Sequence, residues 1–128
     1  MLHLLREAGK IALGDDERNF LLGAIGVRQD GVSVSAKNGA VISSTYDDYR
    51  IISDAHAECR VIRKLGKYGI IYVSRVLKKD GTFAMARPCG GCQLRIRAAK
   101  VKKVYYTVNN SQYGIWDPIT DRDEVYNG

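Results

Sequence analysis

Residues 88–92 of the chain read Pro-Cys-Gly-Gly-Cys, and residues 56–58 read His-Ala-Glu. Both stretches fall where a loop or strand gives way to a predicted helix. Two cysteines three positions apart at a helix start can both turn toward one metal ion, and the helix N-terminus favours their thiolate form. A Pro-Cys-x-x-Cys segment should arise by chance in a chain of this length on the order of once in a thousand sequences. The pair of stretches therefore predicts a metal site.

Three helices are predicted around these stretches. Apolar residues recur at helical spacing near the start of the chain and predict an amphipathic helix that ends near Gly14; they are Leu2, Leu5, Ala8, Ile11 and Ala12. Ser53 or Asp54 can cap a second helix from about Ala55 to Leu65. A third helix should run from about Gly90 to Ala99. Each of the two stretches therefore lies at the start of a predicted helix.

Four strands complete the predicted secondary structure: Phe20–Val27, Val32–Ser35, Ile70–Val76 and Val104–Val108. The first two should form a hairpin, because the turn dipeptide Asp30-Gly31 separates them. Residues 38–53 are polar and predict a long loop of the kind that is often functional, whereas the residues after 108 show no clear pattern. The element order α-β-β-α-β-α-β predicts an α/β fold, in which a mixed sheet lies between layers of helices.

Length and composition favour a single domain over residues 1–128, since a chain of this size can build one hydrophobic core. Apolar residues make up 45% of the chain and charged residues 27%, as in ordinary globular proteins. No apolar run is long enough to cross a bilayer and the first residues lack an export signal, so we expect no membrane association and a cytoplasmic location. The formal net charge of +6 indicates an anionic partner.

The pattern His-x-Glu followed by Pro-Cys-x-x-Cys resembles the cytidine/deoxycytidylate deaminase superfamily, over roughly residues 20–110. The resemblance implies a five-stranded sheet flanked by helices in three α/β/α layers, and assembly into homo-oligomers such as dimers, tetramers or hexamers. It implies one zinc ion per chain, with His56, Cys89 and Cys92 as the ligands. It also implies that the protein is an enzyme that hydrolyses the amino group of a cytosine base.

The chemistry of such a site assigns a part to each neighbouring residue. Three protein ligands leave the fourth position on zinc for water, whose pKa then falls to about 7. Glu58 lies two residues after His56, so it should stay off the metal, take a proton from the water, and protonate the ring nitrogen and the departing ammonia. The resemblance further implies that the backbone at Ala57 approaches the base and that Asn38 contacts the sugar or the base.

The expected substrate is a free (deoxy)cytidine nucleoside or nucleotide, because the chain is short and has little surface to spare for a polymer. The Pro-Cys-Gly-Gly-Cys stretch is similar to the free-cytidine deaminases, whereas a histidine at position 56 is similar to the deoxycytidylate, tRNA and polynucleotide deaminases. Single-stranded DNA or RNA is therefore the alternative substrate. Its support is the basic cluster and two late aromatic residues on which bases could stack at the pocket border: Arg95, Arg97, Lys100, Lys102, Lys103, Tyr113 and Trp116. Adenine or guanine is a third option, since the same zinc chemistry serves purines.

Two interpretations without deaminase chemistry also fit part of the pattern. Cys59 lies three residues after His56 on the same predicted helix, so with Cys89 and Cys92 it could complete a closed Cys₃His structural zinc site. The chain would then be a non-enzymatic zinc-stabilised binding module. Such a site leaves Glu58 without a role, and Cys59 also fits the inward helix face as a small hydrophobic residue. A redox Cys-x-x-Cys pair would ignore both His56 and Glu58.

Overall fold

The computed structural model of the chain describes residues 2–12, 20–37, 57–77 and 80–128. Within these residues the elements are α1 (His3–Ala12), β1 (Phe20–Val27), β2 (Ser33–Lys37), α2 (Ala57–Leu65), β3 (Ile70–Leu77), β4 (Phe83–Ala84), α3 (Gly90–Ala98), β5 (Lys103–Thr107), β6 (Gln112–Asp117) and β7 (Arg122–Asn127). All predicted helices and strands are present, whereas the predicted loop at 38–53 lies outside the described residues. None of these helices combines the length and hydrophobicity that crossing a bilayer requires.

The strands form one mixed sheet in the order β2-β1-β3-β5-β6-β7. β4 pairs with residues 75–76 of β3, beyond the residues 70–73 that pair with β5. β1 and β2 form the predicted antiparallel hairpin, and Gly31 in its turn takes a φ of +89°, a left-handed conformation that glycine adopts without steric cost. β3 and β5 are parallel, whereas β1 with β3, β5 with β6, and β6 with β7 are antiparallel. The predicted mixed sheet is confirmed.

Helices cover both faces of the sheet, and two glycines of β1 show how closely they pack. Gly23 and Gly26 are three positions apart, so they face opposite sides of the strand. A Cβ atom at Gly23 would lie 2.0 Å from the carbonyl oxygen of Ala8, which places the backbone of α1 directly on that face. A Cβ atom at Gly26 would lie 2.8 Å from Cγ1 of Val61 in α2, on the other face. The chain therefore has the predicted α/β/α layers.

The larger core lies between the sheet and the layer formed by α2 and α3. It buries Val61 of α2 and Ile96 of α3 against alternate residues of the central strands, which are Ala24, Ile71, Val73, Val104, Tyr106 and Trp116. On the opposite face, α1 buries Leu5, Ala8 and Ala12. Full burial of a valine- or leucine-sized side chain contributes roughly 1.5–3 kcal/mol. Apolar contacts therefore fix α2 and α3 against one face of the sheet.

Strands β6 and β7 correct the sequence prediction, which found no element after residue 108; the two-residue strand β4 was also not predicted. β6 places Trp116 fully buried in the core under α3. The prediction that this ring borders a pocket and offers a stacking surface is therefore wrong. Tyr113 lies on the opposite face of β6, where its ring stacks on Tyr126 with 5.6 Å between the ring centroids. It thus faces away from the layer that carries the predicted metal ligands.

Candidate metal centre

The sheet topology brings the N-termini of α2 and α3 to the same edge. α2 runs back into β3 and α3 runs back into β5, and these two strands are parallel. At the amino ends of the strands, the backbone N–H of Tyr68 donates to Ala99 O, and that of Lys102 donates to Gly69 O. Both helix N-termini therefore lie at the carboxyl ends of β3 and β5, which is where α/β sheets commonly bind ligands.

The first turn of α3 carries both predicted thiol ligands. Cys89 is partly buried at the N-cap position with an extended backbone (φ −69°, ψ 167°), and its carbonyl oxygen accepts from Gln93 N at 2.8 Å. Cys92 is fully buried in the same turn. Gln93 Nε2 also donates to Pro88 O at 2.8 Å, which ties the start of the helix to the residue before Cys89.

The donor chemistry of this turn fits zinc. Among the described residues, neither Cys89 nor Cys92 forms a disulfide. Their positions at i and i+3 place both sulfur atoms on one turn of the helix. Zinc prefers sulfur and nitrogen ligands, so these two side chains can supply half of a tetrahedral coordination shell.

The segment that leads into Cys89 is held by β5. Ala86 N donates to Thr107 O at 2.9 Å. Thr107 is fully buried and also joins two other strands, since its Oγ1 accepts from Arg75 N of β3 at 3.1 Å and donates to Ala84 O of β4 at 2.7 Å. The chain therefore approaches Cys89 along a path that three strands hold in place.

α2 supplies the facing side of the centre. It begins at Ala57, which is fully buried, and Glu58 is its second residue, so the predicted proton shuttle lies in the first turn. No three His, Cys, Asp or Glu side chains cluster among the residues that the structure describes. The third predicted ligand, His56, lies outside those residues, as does Asn38. The structure thus brings the two thiols of α3 to the edge where α2 begins, directly after His56 in the chain.

A family model described as the cytidine and deoxycytidylate deaminase zinc-binding region matches residues 1–108. The chain belongs to this family. It is therefore a zinc hydrolase of the cytidine/deoxycytidylate deaminase type, with zinc as its cofactor. Family membership also argues against the interpretation of Cys89 and Cys92 as a redox pair.

Solved cytidine deaminase structures share the fold. The cytidine deaminase from Mycobacterium leprae matches with a TM-score of 0.59 and 18% identity, over 91% of this chain and 92% of that chain. The cytidine deaminase from Mycobacterium tuberculosis matches with a TM-score of 0.54 and 21% identity, over 81% of this chain and 80% of that chain. At these identities the likeness concerns the fold alone. A search of curated protein sequences finds no match.

The last strand, β7, contacts the segment that precedes Cys89. Arg87 Nε donates to Asp123 Oδ1 at 3.2 Å and Oδ2 at 3.1 Å, and Arg87 Nη2 donates to Oδ2 at 2.7 Å. The Tyr106 hydroxyl donates to Asp123 Oδ1 at 2.7 Å. The Arg87 guanidinium also lies 5.8 Å from the centroid of the Trp116 ring. Sequence analysis did not select Arg87 or Asp123, because the two are 36 residues apart and no local pattern links them.

The hydrogen bonds among Arg87, Tyr106 and Asp123 shift the pKa values of all three side chains. Burial, reinforced by the hydrogen bond to Asp123 and by its charge, raises the pKa of Tyr106 to about 12. Partial burial alone would raise the pKa of Asp123, but the hydrogen bonds from Arg87 and Tyr106 and the charge of Arg87 hold it below its usual value. The hydrogen bond to Asp123 raises the pKa of Arg87. At neutral pH the deaminase therefore holds a neutral phenol, a carboxylate and a guanidinium together.

Tyr106 should make the stability of the deaminase fall at high pH. Its pKa is 10.0 in the absence of these interactions and about 12 in the fold. The stabilisation is therefore fully present below pH 10 and is lost as the pH rises through the folded value. At about 1.4 kcal/mol per pKa unit, the free energy of unfolding should fall by on the order of 2–3 kcal/mol over this interval. Urea unfolding of the wild type and Tyr106→Phe between pH 9 and about 12 measures the effect; equal pH dependence in the two proteins would contradict it.

Proposed function

We propose that the chain is a zinc-dependent deaminase that hydrolyses the 4-amino group of cytosine in a free (deoxy)cytidine nucleoside or nucleotide, giving uracil and ammonia. In this proposal His56, Cys89 and Cys92 hold the zinc. The observation that carries it is the placement of both thiols in the first turn of α3, at the edge of the sheet where α2 begins with Ala57 and Glu58. Membership of the family supports the chemistry.

The chain's own residues would move the protons of the reaction. Zinc, when bound, lowers the pKa of a water ligand to about 7. Glu58 accepts one proton from the attacking water and delivers it to N3 of the ring. The water oxygen bonds to C4, the C4–N bond breaks, and Glu58 carries the second proton of the water to the amino nitrogen, which leaves as ammonia. Ala57, with its small side chain buried at the helix start, lets the backbone approach the flat base.

The position of the basic cluster supports a small substrate over a polymer. Arg97 lies in the last turn of α3 and pairs with Asp121 at 3.0 Å, and Lys100 Nζ lies 6.0 Å from the centroid of the Tyr68 ring. α3 has nine residues and so is about 13 Å long. This length separates the cluster from Cys89 at the other end of the helix. Arg97 and Lys100 therefore lie toward the end of α3 opposite to Cys89.

Ammonia release by the zinc-loaded protein tests the proposal. We expect turnover of at least one monomer among cytidine, deoxycytidine, CMP and dCMP, and none of a short cytosine-containing single-stranded oligonucleotide. Activity on the oligonucleotide alone, weakening steeply with added salt, would assign a polymer substrate instead. Activity on adenosine or guanosine alone would assign a purine base. No ammonia from any of these, with one zinc bound per chain, would overturn the proposed function.

A further inference from the structure

We infer that Asp123 is a positioning residue for the metal centre: through Arg87 it fixes the main chain that presents Cys89 to zinc. The inference rests on the proposed function, because it takes Cys89 as a zinc ligand. The hairpin formed by β6 and β7 then helps to position a ligand of the metal centre. This hairpin lies beyond residues 1–108, which match the family model, so the family match does not account for it.

Asp123 holds Arg87 in one orientation. Its carboxylate accepts hydrogen bonds from two guanidinium nitrogens: Nε donates to Oδ1 and Oδ2, and Nη2 donates to Oδ2. Contacts from two nitrogens restrain the orientation of the guanidinium group. The Trp116 ring, which is fully buried, lies below the same group. A carboxylate fork and an aromatic face together leave the Arg87 side chain little freedom, although the two charged side chains are 36% and 30% exposed.

Asp123 is itself held by a second contact, from Tyr106. The Tyr106 hydroxyl on β5 reaches Asp123 on β7 across the intervening strand β6. A Cβ atom at Gly114 of β6 would lie 2.2 Å from the Tyr106 ring, so only glycine lets the ring pass. All six residues of β7 are exposed. Core packing therefore does not hold Asp123 in place. Its side chain contacts Tyr106 and Arg87, and Arg87 lies two residues before Cys89.

Pro88 is the one residue between Arg87 and Cys89, so it links their positions. It is buried, and its ring fixes its φ. The segment is thus held at three successive residues by three different elements: Ala86 by β5, Arg87 by β7, and Pro88 by Gln93 of α3. The Arg87–Asp123 pair is the contact that ties the middle residue of this segment to β7, so we assign it to placing Cys89.

Asp123→Asn tests the inference, with Asp30→Asn as the matched control. Asn keeps the shape of Asp123 and an acceptor for Tyr106 but loses the negative charge that pairs with Arg87. Asp30 also pairs with an arginine, since its Oδ2 lies 3.1 Å from Arg28 Nη2, and its Oδ1 accepts from Val32 N. It lies in the β1–β2 turn, at the amino end of β3 and so at the opposite edge of the sheet from Cys89. The two variants therefore make the same chemical change near and far from Cys89.

Zinc affinity and the cobalt spectrum are the readouts. By chelator competition, Asp123→Asn should bind zinc about 10–100-fold more weakly than the wild type, the usual effect of removing a residue that orients a ligand. The thiolate-to-metal absorption of the cobalt-substituted variant should shift or weaken. Asp30→Asn should match the wild type in both measurements. Arg87→Lys keeps the positive charge but loses the contact made by two nitrogens, so it should weaken zinc binding as Asp123→Asn does. With two variants, the test remains valid if one of them fails to fold.

Two results would overturn the inference, and they are distinguishable. If Asp123→Asn and Arg87→Lys match Asp30→Asn in zinc affinity and cobalt absorption, the positioning role is wrong while the proposed function stands. If Cys89→Ala binds zinc as tightly as the wild type, the ligand assignment in the proposed function is wrong, and the inference fails with it.

Discussion

Replacing Glu58 with glutamine should remove most of the deaminase activity and leave zinc binding unchanged. The amide has the same shape as the carboxylate, but it can neither accept the proton of the attacking water nor protonate the leaving nitrogen. Loss of a general acid–base residue typically costs on the order of 10²–10⁴-fold in rate, which corresponds to about 3–5 kcal/mol in the barrier. The rate of ammonia release at saturating substrate measures the effect, and metal analysis of the same sample gives the zinc content.

Glu7→Gln is the matched control for this variant. Glu7 lies on α1 and forms an exposed ion pair with Lys10 at 3.1 Å, on the opposite side of the sheet from α2. The same loss of charge at that position should leave both turnover and zinc content at wild-type values. The proton-shuttle role of Glu58 would be contradicted by a variant that keeps its zinc and turns over within a few-fold of the wild type.

The part of the fold that presents the metal centre could be predicted because its signals are local. Pro88 and the two glycines after Cys89 mark the boundary between an extended segment and a helix, and α3 begins at Gly90. Asp30-Gly31 marked the β1–β2 hairpin in the same way. In each case the residues that determine the conformation are neighbours in sequence, so reading a short window was sufficient.

The C-terminal strands could not be predicted, because distant residues hold them. β7 is exposed at all six residues, so no alternation of apolar and polar side chains marks it as a strand. It lies in the sheet through its pairing with β6. β4 is only two residues long and depends on Thr107 and on the bond from Phe83 N to Asn110 Oδ1 at 2.7 Å. Pairings of this kind leave no periodic pattern.

Trp116 shows how a missing strand changes the interpretation of a residue. Without β6, an aromatic residue after the last predicted strand was available to stack on a base. With β6 in place, the ring is fully buried and lies 5.8 Å from the guanidinium of Arg87 and 5.6 Å from that of Arg97. The residue therefore packs beneath two arginine side chains from within the core. The roles of His56 and Asn38 stay predictions, since both lie outside the described residues.

The three cysteines should respond differently to replacement by alanine, and this pattern separates a catalytic zinc centre from a structural one. A structural zinc site in a small domain contributes about 10–16 kcal/mol of binding free energy, or about 2.5–4 kcal/mol for each of four ligands. Losing one thiolate should therefore weaken zinc binding on the order of 10²–10³-fold. We expect this loss for Cys89→Ala and Cys92→Ala, measured by competition with a chromophoric chelator.

Cys59→Ala is the variant on which the two interpretations disagree. In the proposed deaminase, three protein ligands leave the fourth position for water, so removing Cys59 should leave zinc affinity unchanged and retain most of the turnover. In a closed Cys₃His site, Cys59 would be the fourth ligand, and its loss should weaken zinc binding as much as the loss of Cys89 or Cys92. Equal losses in all three variants would show that the site is structural, and the absence of ammonia release from the wild type would then follow from a coordination shell with no room for water.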